Sequence, residues 1–399
     1  MENFATEVAE THDELARVLT PTPFQYSQYL SDLHQANVWL KREDLSPVRS
    51  YKIRGAYAFL TEALKENPSQ SVFVCASAGN HAQGFAHACR NFNRKGVVFM
   101  PVTTPQQKIM KTSSFGATNI SIRLIGDGFD AANQAAMDYC LQEGGQMVPP
   151  FDHPRIIRGQ ATVAREIVTQ LPEEMSLDWV IMPVGGGGLA SGMTRYFEAI
   201  GKEPRYSFVE PEGAASLYAS LTSGSRVKLD VVDNFVDGAA VAQIGEHNFS
   251  NLCRFSPEQV VRSPTDGLCA TMIDFLNVEG IVLEPAGALA IDALKRLPEE
   301  EIRGKMVVCV VSGGNFDFER LPEVKERALR FSGLKKFFVL QFPQRPGALR
   351  EFLMMLGPDD DVARFEYLKK SARNFGSVLI GIETSKPENF EQLLSLIHI

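Results

Sequence analysis

Short apolar runs alternate with longer amphipathic stretches between about residues 50 and 325 of this chain. The runs are rich in Val, Ile and Phe, as strands are, whereas the longer stretches carry apolar residues at the three- and four-residue spacing of helices. This alternation predicts an α/β fold of mostly parallel sheets with helices on both faces. The predicted strands are Ser71–Ala76, Gly96–Met100, Asn119–Leu124, Trp179–Pro183, Arg205–Glu210 and Met306–Val311.

The amphipathic stretches predict helices between and after these strands. Their bounds are Ile53–Lys65, His81–Asn93, Pro105–Ser114, Ala131–Glu143, Gln160–Gln170, Leu189–Ile200, Gly267–Asn277, Pro285–Arg296 and Phe318–Phe331. In folds of this kind, ligands bind beyond the carboxyl ends of the strands. The Gly- and Ser-rich segments of the chain fall at those positions, so we expect the functional site there.

The pattern changes near residue 335, where strand and helix signals follow each other in the order βαββα. The predicted elements are Phe337–Phe342, Gly347–Leu356, Ala363–Lys369, Val378–Glu383 and Asn389–Ile397. This order indicates a small module that is separate from the larger α/β part. We therefore divide the chain into residues 1–330, which contain a smaller subdomain at about 53–150, and a C-terminal module at 335–399.

Composition narrows the class of protein. The chain has 399 residues, 44% of them hydrophobic and 22% charged, which is typical of a soluble protein of two or three domains. The net charge of −8 disfavours nucleic acid as a partner, since phosphates need a basic face. No bilayer-spanning run, signal segment or metal-ligand spacing of histidines is visible, and the six scattered cysteines indicate reduced thiols. We expect a cytoplasmic protein with no membrane contact and no metal site.

Four segments carry candidate chemistry, and each has an ordinary alternative when it is taken alone. The first, Ser50-Tyr51-Lys52-Ile53-Arg54-Gly55, places a lysine at a helix start. A lysine that forms a Schiff base needs a partly desolvated amine, flanked by groups that hold an aromatic aldehyde. Ser50 and Tyr51 could supply such groups, although a lysine in this position is more often simply solvated.

The second segment, Ser77-Ala78-Gly79-Asn80-His81-Ala82-Gln83-Gly84, follows a strand and opens a helix. A helix N-terminus offers free N–H groups to an anion such as a carboxylate, and the Asn80 amide could meet a ring hydroxyl. A plain N-capping turn would have the same pattern. His81 is more readily explained as a structural histidine than as a base.

The third and fourth segments also follow predicted strands. Gly185-Gly186-Gly187-Gly188-Leu189 lets the backbone close around a phosphate at a helix start, and it is neither a Walker A loop nor a dinucleotide fingerprint. In Val310-Val311-Ser312-Gly313-Gly314-Asn315, the Ser312 hydroxyl could bond a ring nitrogen. A flexible turn and an N-capping serine are the respective alternatives.

Together and in this order, the segments resemble the serine/threonine dehydratases, which are fold-type II pyridoxal-phosphate enzymes, and most closely the threonine dehydratases of isoleucine biosynthesis. The matching residues are Ser50–Gly55, Ser77–Gly84, Gly185–Leu189 and Ser312–Asn315, and the resemblance runs from about Thr20 to the end of the chain. It implies a tryptophan-synthase-β-like fold with two parallel-sheet subdomains, pyridoxal 5′-phosphate as the cofactor, and a homo-oligomer, either a dimer or a tetramer.

The resemblance also implies a reaction and a role for each segment. The reaction converts L-threonine to 2-oxobutanoate and ammonia by β-elimination, the first step of isoleucine biosynthesis. Lys52 would hold the cofactor covalently and act as the base, Asn80 would contact the ring hydroxyl, and Ser312 would face the ring nitrogen. The phosphate would bind the backbone of Gly185, Gly186, Gly187, Gly188 and Leu189, and the substrate carboxylate would bind Ser77, Ala78, Gly79, Asn80 and His81.

Two positions depart from many members of the family, and three other functions compete. Ser46 replaces Gln and Tyr51 replaces Phe, which could alter local packing without removing a catalytic group.

The nearest rival function is that of a catabolic serine/threonine dehydratase or a serine racemase. A racemase would need a proton donor where Ala78 stands, and an acidic metal ligand where Ser216 stands, beside Glu210 and the Ala214 carbonyl. An oxidoreductase lacks its ribose-binding acid, and a non-catalytic amino-acid sensor would not need the lysine segment.

The C-terminal module resembles the single ACT-like regulatory domain of shorter threonine dehydratases. The matching segments are Phe337–Pro343, Arg345–Leu349 and Arg364–Tyr367. Such domains have a βαββαβ order and bind a branched-chain amino acid, so isoleucine or valine is the implied effector. The chain stops at Ile399, inside or just after the second predicted helix, so no residues remain for the last strand unless a partner subunit supplies the pairing. We expect an incomplete module that is less stable than the catalytic part.

We therefore expect an active lyase whose inhibition by isoleucine is weak or absent, because a missing strand leaves a sheet edge unpaired and buries less apolar surface. The measurement is 2-oxo acid production from threonine, with and without isoleucine. Strong cooperative inhibition, which needs a difference in affinity between two states, would contradict this expectation.

Overall fold

Residues 2–368 and 375–396 are described by the computed structural model of this protein. Their contacts divide the chain into two units, which are Met1–Thr265 with Phe275–Asp317, and Asp266–Asp274 with Phe318–Ile399. Among the residues described, no helix is both long and apolar enough to cross a membrane.

The strands of the described residues form three sheets. In chain order they are β1 Phe24–Tyr26, β2 Asn37–Arg42, β3 Val72–Ala76, β4 Lys95–Met100, β5 Ile120–Leu124, β6 Gln146–Met147, β7 Trp179–Pro183, β8 Arg205–Pro211, β9 Val260–Ser263, β10 Met306–Val311, β11 Lys335–Pro343, β12 Asp360–Leu368 and β13 Phe375–Thr384.

The helices of the described residues belong to both units, and in most of the first unit they alternate with the strands. In chain order they are α1 Glu2–Leu15, α2 Gln28–His34, α3 Lys52–Glu66, α4 Asn80–Asn91, α5 Gln106–Gly116, α6 Phe129–Glu143, α7 Pro154–Gln170, α8 Gly188–Ala199, α9 Ser216–Ser223, α10 Glu246–Leu252, α11 Thr265–Glu279, α12 Pro285–Leu294, α13 Glu299–Ile302, α14 Leu321–Phe331, α15 Ala348–Leu353 and α16 Asn389–Leu396.

The larger sheet of the first unit has the strand order β1-β2-β10-β7-β8-β9, and every neighbouring pair is parallel except β1 and β2. All six residues of β10 are buried, as expected for a central strand covered on both faces. One core cluster joins Val308 and Val310 of this strand to Val180 and Met182 of β7 and to residues of α7 and α8.

The smaller sheet of the same unit is parallel, with the order β5-β4-β3-β6. Successive residues of β3 enter different clusters, because side chains of a strand alternate between its faces. Phe73 and Cys75 pack with residues of α3 and α4, whereas Val74 and Ala76 pack with residues of α6. Helices therefore cover both faces of this sheet, as the α/β pattern predicts.

The second unit contains the antiparallel sheet β11-β13-β12. Its core joins Val378, Ile380 and Ile382 of β13 to Phe352 of α15 and to residues of α16. The described order β11-α15-β12-β13-α16 agrees with the predicted βαββα module. Lys369 of the predicted second strand, and Ile397 at the end of the predicted last helix, lie outside the described residues.

The predicted strands are confirmed to within two residues at each end in the first unit, but several elements were missed. The missed strands are β1, β2, β6 and β9, and the missed helices are α1, α2, α9, α10 and α13. The predicted helix Phe318–Phe331 is wrong in its first turn, since Phe318–Arg320 is a 3-10 turn and α14 begins at Leu321. Pro322 is suited to the first turn of a helix, and it explains why α14 starts there.

A buried ion cluster links β2, α3 and α7; we define it as Lys41, Glu43, Arg54 and Glu166. The Arg54 guanidinium donates to both carboxylates, with distances of 2.8 Å to Glu43 Oε2 and 2.7 Å to Glu166 Oε1. Lys41 Nζ donates to Glu166 Oε2 at 2.6 Å and to the Thr22 carbonyl at 2.7 Å. Two cations therefore balance two carboxylates in a region without solvent, which holds the start of α3 against the larger sheet.

We expect Arg54→Met to destabilise the first unit by about 3–5 kcal/mol, because it leaves two buried carboxylates with too little positive charge. Urea unfolding followed by tryptophan fluorescence measures this loss, since Trp39 of β2 and Trp179 of β7 are the two tryptophans of the chain. The matched control is Arg303→Met. Arg303 is 59% exposed in an ion pair with Glu299, so its loss should cost less than about 1 kcal/mol. Equal losses in both variants would contradict a stabilising role for the cluster.

Candidate active site

The order of the larger sheet brings three of the four candidate segments together, and the fourth contacts them through Asn80 and Gly84. The Lys52 segment follows β2, the Ser312 segment follows β10 and the glycine segment follows β7, and these three parallel strands are neighbours in the larger sheet. The Ser77 segment follows β3 of the smaller sheet. Carboxyl ends of neighbouring parallel strands open on one edge, where ligands bind in such folds.

Lys52 is the first residue of α3, and its amine is held inside the unit. Nζ donates to the Pro150 carbonyl at 3.0 Å. Burial disfavours the charged amine and lowers the pKa of Lys52 to about 8, while the nearby Glu284 carboxyl offsets part of this effect. α4 packs directly on this turn, because a Cβ on Gly84 would lie 3.0 Å from the Lys52 carbonyl carbon. Lys52 is partly buried, and its amine is therefore partly desolvated, as a nucleophilic lysine requires.

The loop before Lys52 is bound to the loop after β10. Ser50 forms an antiparallel bridge with Gly313, and the Tyr51 N–H donates to the Ser312 carbonyl at 3.2 Å. Ser46, one of the two departures from the family pattern, stabilises this loop: its hydroxyl donates to the Ser50 carbonyl at 2.8 Å and accepts from the Ser50 N–H at 2.9 Å. The Tyr51 ring lies 5.2 Å from Lys52 Nζ.

Residues 77–80 are only partly buried between a buried strand and a buried helix, so this turn faces open space. A Cβ built on Gly79 would meet nothing within 4 Å. The Ser77 hydroxyl accepts from the Gly79 N–H at 3.2 Å. His81 is buried, with Nε2 2.9 Å from the Val148 carbonyl. Burial and the Lys52 charge lower the pKa of His81 to about 4, so it is neutral at neutral pH and structural.

A carboxylate that the sequence analysis missed lies beside Asn80. Asn80 Nδ2 donates to Glu284 Oε1 at 2.6 Å, and Asn80 Oδ1 accepts from Asn315 Nδ2 at 2.8 Å. Asn315 Nδ2 also donates to the Val48 carbonyl at 2.8 Å. Glu284 precedes Pro285 at the start of α12, where an acidic residue is ordinary, so its sequence position gave no sign of this contact.

The glycine segment turns tightly from β7 into α8, which begins at Gly188. The N–H groups in the first turn of a helix have no partner within the helix and form a site for an anion. The Phe151 ring lies against this turn, since a Cβ on Gly186 would fall 2.2 Å from its Cγ. Only glycine fits at this position, because any side chain would collide with the Phe151 ring.

Asn248 of α10 holds the glycine segment, and the sequence gave no sign of it. Its Nδ2 donates to the Gly186 carbonyl at 2.7 Å and to the Phe151 carbonyl at 3.2 Å. Asn248 is fully buried. The Asp152 carboxylate accepts from the N–H groups of Glu246 and Asn248, at 2.7 and 3.3 Å, and so caps the start of α10. α10 is thereby joined to the segment on which the glycines pack.

Two further residues named from the sequence have clear partners. The Ser312 hydroxyl is buried and donates to the Ala286 carbonyl at 3.2 Å. Both oxygens of Glu210 accept from the start of α9, at 2.8 Å from the Leu217 N–H and 2.9 Å from the Tyr218 N–H. Glu210 therefore caps a helix. The described residues contain no group of three or more His, Cys, Asp or Glu side chains that could hold a metal ion.

The residues at this edge fit an aldehyde that carries a phosphate. They offer a partly desolvated amine at Lys52, backbone N–H groups at the start of α8, an oriented amide at Asn80, and open space over Gly79. The first three are a nucleophile and donors of the kind that such a molecule needs, and the open space leaves room for it.

Comparison with known proteins agrees with this chemistry. The family model described as pyridoxal-phosphate dependent enzyme matches residues 15–313, and the model of the C-terminal regulatory domain of threonine dehydratase matches residues 326–398. The chain belongs to the family of pyridoxal-phosphate-dependent enzymes. The expected fold-type II architecture with a C-terminal regulatory domain, and the expected cofactor, are confirmed.

Within this family, the chain is similar to biosynthetic L-threonine dehydratases along its whole length. It is 43% identical to that of Staphylococcus epidermidis over 97% of this chain and 92% of the relative, and 43% identical to that of Lactococcus lactis over 98% and 94%. Among solved structures, the processed form of threonine deaminase isoform 2 from Solanum lycopersicum is 36% identical with a TM-score of 0.74, covering 82% of this chain and 92% of that one. Maize serine racemase, at 23% identity and a TM-score of 0.73 over 82% and 98%, shares the fold.

We expect Asn248→Ala to weaken cofactor binding by about tenfold, because the Gly186 carbonyl loses a buried donor and the anion site loses its shape. Absorbance titration of the apoenzyme with pyridoxal phosphate measures this change. Pyridoxal, which lacks the phosphate, should bind the wild-type protein and Asn248→Ala with almost equal affinity. Asn251→Ala is the matched control, since Asn251 lies one turn further along α10 and donates to the Ser191 hydroxyl. An equal loss of affinity for the two ligands would contradict a role in phosphate binding.

Proposed function

We propose that this chain converts L-threonine to 2-oxobutanoate and ammonia, the first step of isoleucine biosynthesis. The observation that carries the proposal is the similarity to biosynthetic L-threonine dehydratases over 97% of the chain. The partly desolvated Lys52 amine supports it, because elimination requires removal of the α-proton of the amino acid. The reaction balances: threonine loses its β-hydroxyl with the α-proton as water, and one water then releases ammonia.

Lys52 would be both the attachment point of the cofactor and the base. When bound, pyridoxal phosphate supplies the electron sink that stabilises negative charge at the α-carbon of the substrate. Because burial lowers the pKa of Lys52 to about 8, a free amine at this position would be partly neutral near neutral pH and able to accept a proton at Nζ. The Pro150 carbonyl fixes the direction of this amine.

The remaining residues would orient the substrate and the cofactor. The start of α4, from Ser77 to His81, would bind the substrate carboxylate through N–H groups, and neutral His81 would take no part in proton transfer. The backbone of Gly185–Leu189 would bind the phosphate. Asn80 would contact the ring hydroxyl. Ser312, a neutral partner, would face the ring nitrogen.

The regulatory unit indicates a small-molecule effector. We propose isoleucine or valine, from the match of residues 326–398 to the regulatory domain of threonine dehydratase. The division into a catalytic domain at 1–330 and a regulatory domain at 335–399 remains our proposal, and the two matched ranges support it. A homo-oligomer of two or four chains is likewise a prediction.

Production of 2-oxobutanoate from L-threonine tests the proposal, with L-serine as the competing substrate. We expect the wild-type protein to prefer threonine, and Lys52→Ala to lose both the visible absorption of the bound cofactor and turnover, because the variant lacks the amine that would attach the cofactor and accept the proton. Lys65→Ala is the control, since Lys65 lies at the other end of α3 and is 63% exposed. Turnover by Lys52→Ala above a few per cent of wild type would contradict the assignment.

A further inference from the structure

Glu284 is the buried carboxyl of the site that the reaction as proposed does not use. Its side chain is 6% exposed, and α12 begins at the next residue. A Cβ on Gly313 would fall 2.0 Å from Glu284 Oε1, so the carboxyl lies against the loop that carries Ser312. A buried carboxyl needs a specific reason to be there, since leaving water costs it several kcal/mol when it is charged.

The hydrogen bonds of Glu284 converge on one amide. Its Oε1 accepts from Asn80 Nδ2 at 2.6 Å, and its carboxyl also accepts from the Asn315 backbone N–H. The other side of the Asn80 amide is fixed as well, since Oδ1 accepts from Asn315 Nδ2 at 2.8 Å. An asparagine amide can flip unless both ends are bound. Here a carboxylate on one end and an amide donor on the other allow a single orientation.

We propose that Glu284 is a positioning residue: its carboxylate fixes the Asn80 amide so that the second Nδ2 hydrogen is directed to the ring hydroxyl of the cofactor. This inference rests on the proposed function, because it assigns the ring hydroxyl as the partner of Asn80. An ionised carboxylate can only accept, so it holds the N–H side of the amide towards itself. A protonated carboxyl could also donate, and it would fix the amide less well.

The surroundings of Glu284 make its positioning of the Asn80 amide dependent on pH. Burial, with a smaller contribution from the Asp237 carboxylate, raises the pKa of Glu284 to about 7 against the opposing effects of the Asn80 and Asn315 hydrogen bonds and the Lys108 charge. Lys108 is paired with Asp237. The Glu284 carboxylate in turn acts to raise the pKa values of three nearby groups, which are Tyr51, Lys52 and Lys111. A raised pKa means that the carboxylate form is complete only above neutral pH, so amide positioning is lost as the pH falls through about 7.

Glu284→Gln in the holoenzyme tests the inference, since glutamine keeps the shape and an accepting oxygen but has no charge to gain or lose. The matched control is Glu210→Gln. Glu210 is also fully buried with a pKa raised by burial, to about 8, but it caps α9 instead of contacting Asn80. The two readouts are the visible absorption of the bound cofactor and kcat/KM for threonine, each between about pH 5.5 and 9.

We expect the wild-type protein and Glu210→Gln to show a step near pH 7 in both readouts, with kcat/KM rising as the pH increases. Glu284→Gln should lack this step and have kcat/KM about tenfold lower at pH 8, the effect of losing one charge-assisted hydrogen bond. It should still produce 2-oxobutanoate, so its result is separate from the test of the reaction itself. Loss of threonine turnover in the wild type would instead refute the reaction.

A step near pH 7 that persists in Glu284→Gln overturns the inference. Disappearance of the step in Glu210→Gln as well would assign it to a general change of the fold, and would equally overturn the inference. If Glu284→Gln does not fold, Glu284→Asp decides: the shorter carboxylate should move the step to another pH, and an unmoved step counts against Glu284.

Discussion

The buried ion cluster of Lys41, Glu43, Arg54 and Glu166 is the constraint on which the geometry of the site depends. Two cations and two carboxylates have left water, and this is tolerable only because each finds a partner within hydrogen-bonding distance. Arg54 follows Lys52 by two residues, which places the two side chains on nearly opposite sides of α3. The cluster therefore fixes the rotation of the first helical turn from its buried side. A turn that could rotate would move the amine away from Pro150 and from the open space over Gly79.

The electrostatics of the site follow from the same removal of water. Burial lowers the pKa of Lys52 and of His81 and raises that of Glu284, so all three side chains are driven towards their neutral forms. The effect of burial on each side chain differs because the three side chains have different hydrogen-bond partners. His81 has a carbonyl partner and stays a fixed neutral group. Lys52 has the Glu284 carboxyl nearby, which favours the charged amine and so opposes part of the effect of burial. In our proposals Lys52 accepts the proton and Glu284 only positions the Asn80 amide, although neither residue is exceptional by type or by sequence position.

The sequence predicted the α/β architecture, the regulatory module and the four loops, because these depend on periodicity and on glycine or serine at strand ends. It did not reveal β2, since that strand ends in Lys41 and Arg42, whose charges suggest a surface and are in fact buried in ion pairs. It also missed Glu284 and Asn248. The Asn80–Glu284 contact spans 204 residues and the Asn248–Gly186 contact spans 62, so no local pattern could encode them. Residues that would touch a ligand belong to recognisable motifs, whereas the residues that brace those motifs are ordinary in sequence and are identified only by the fold.

The residues that would contact a ligand and the residues that hold the loops in place are different for a physical reason. The glycine segment offers a ligand only backbone, so it has no side chains with which to hold its own shape, and the hydrogen bonds that fix it must come from elsewhere, here from Asn248. Asn80 has a side chain that would contact a ligand, yet one amide cannot also define its own orientation, so Glu284 and Asn315 define it. In both loops the bracing group comes from a distant part of the first unit. Loops at strand ends are mobile unless they are tied down, and hydrogen bonds between them reduce that freedom before any ligand arrives. These loops therefore lose their conformational entropy when the protein folds. Binding of a cofactor at this edge then needs to order little more than the cofactor itself.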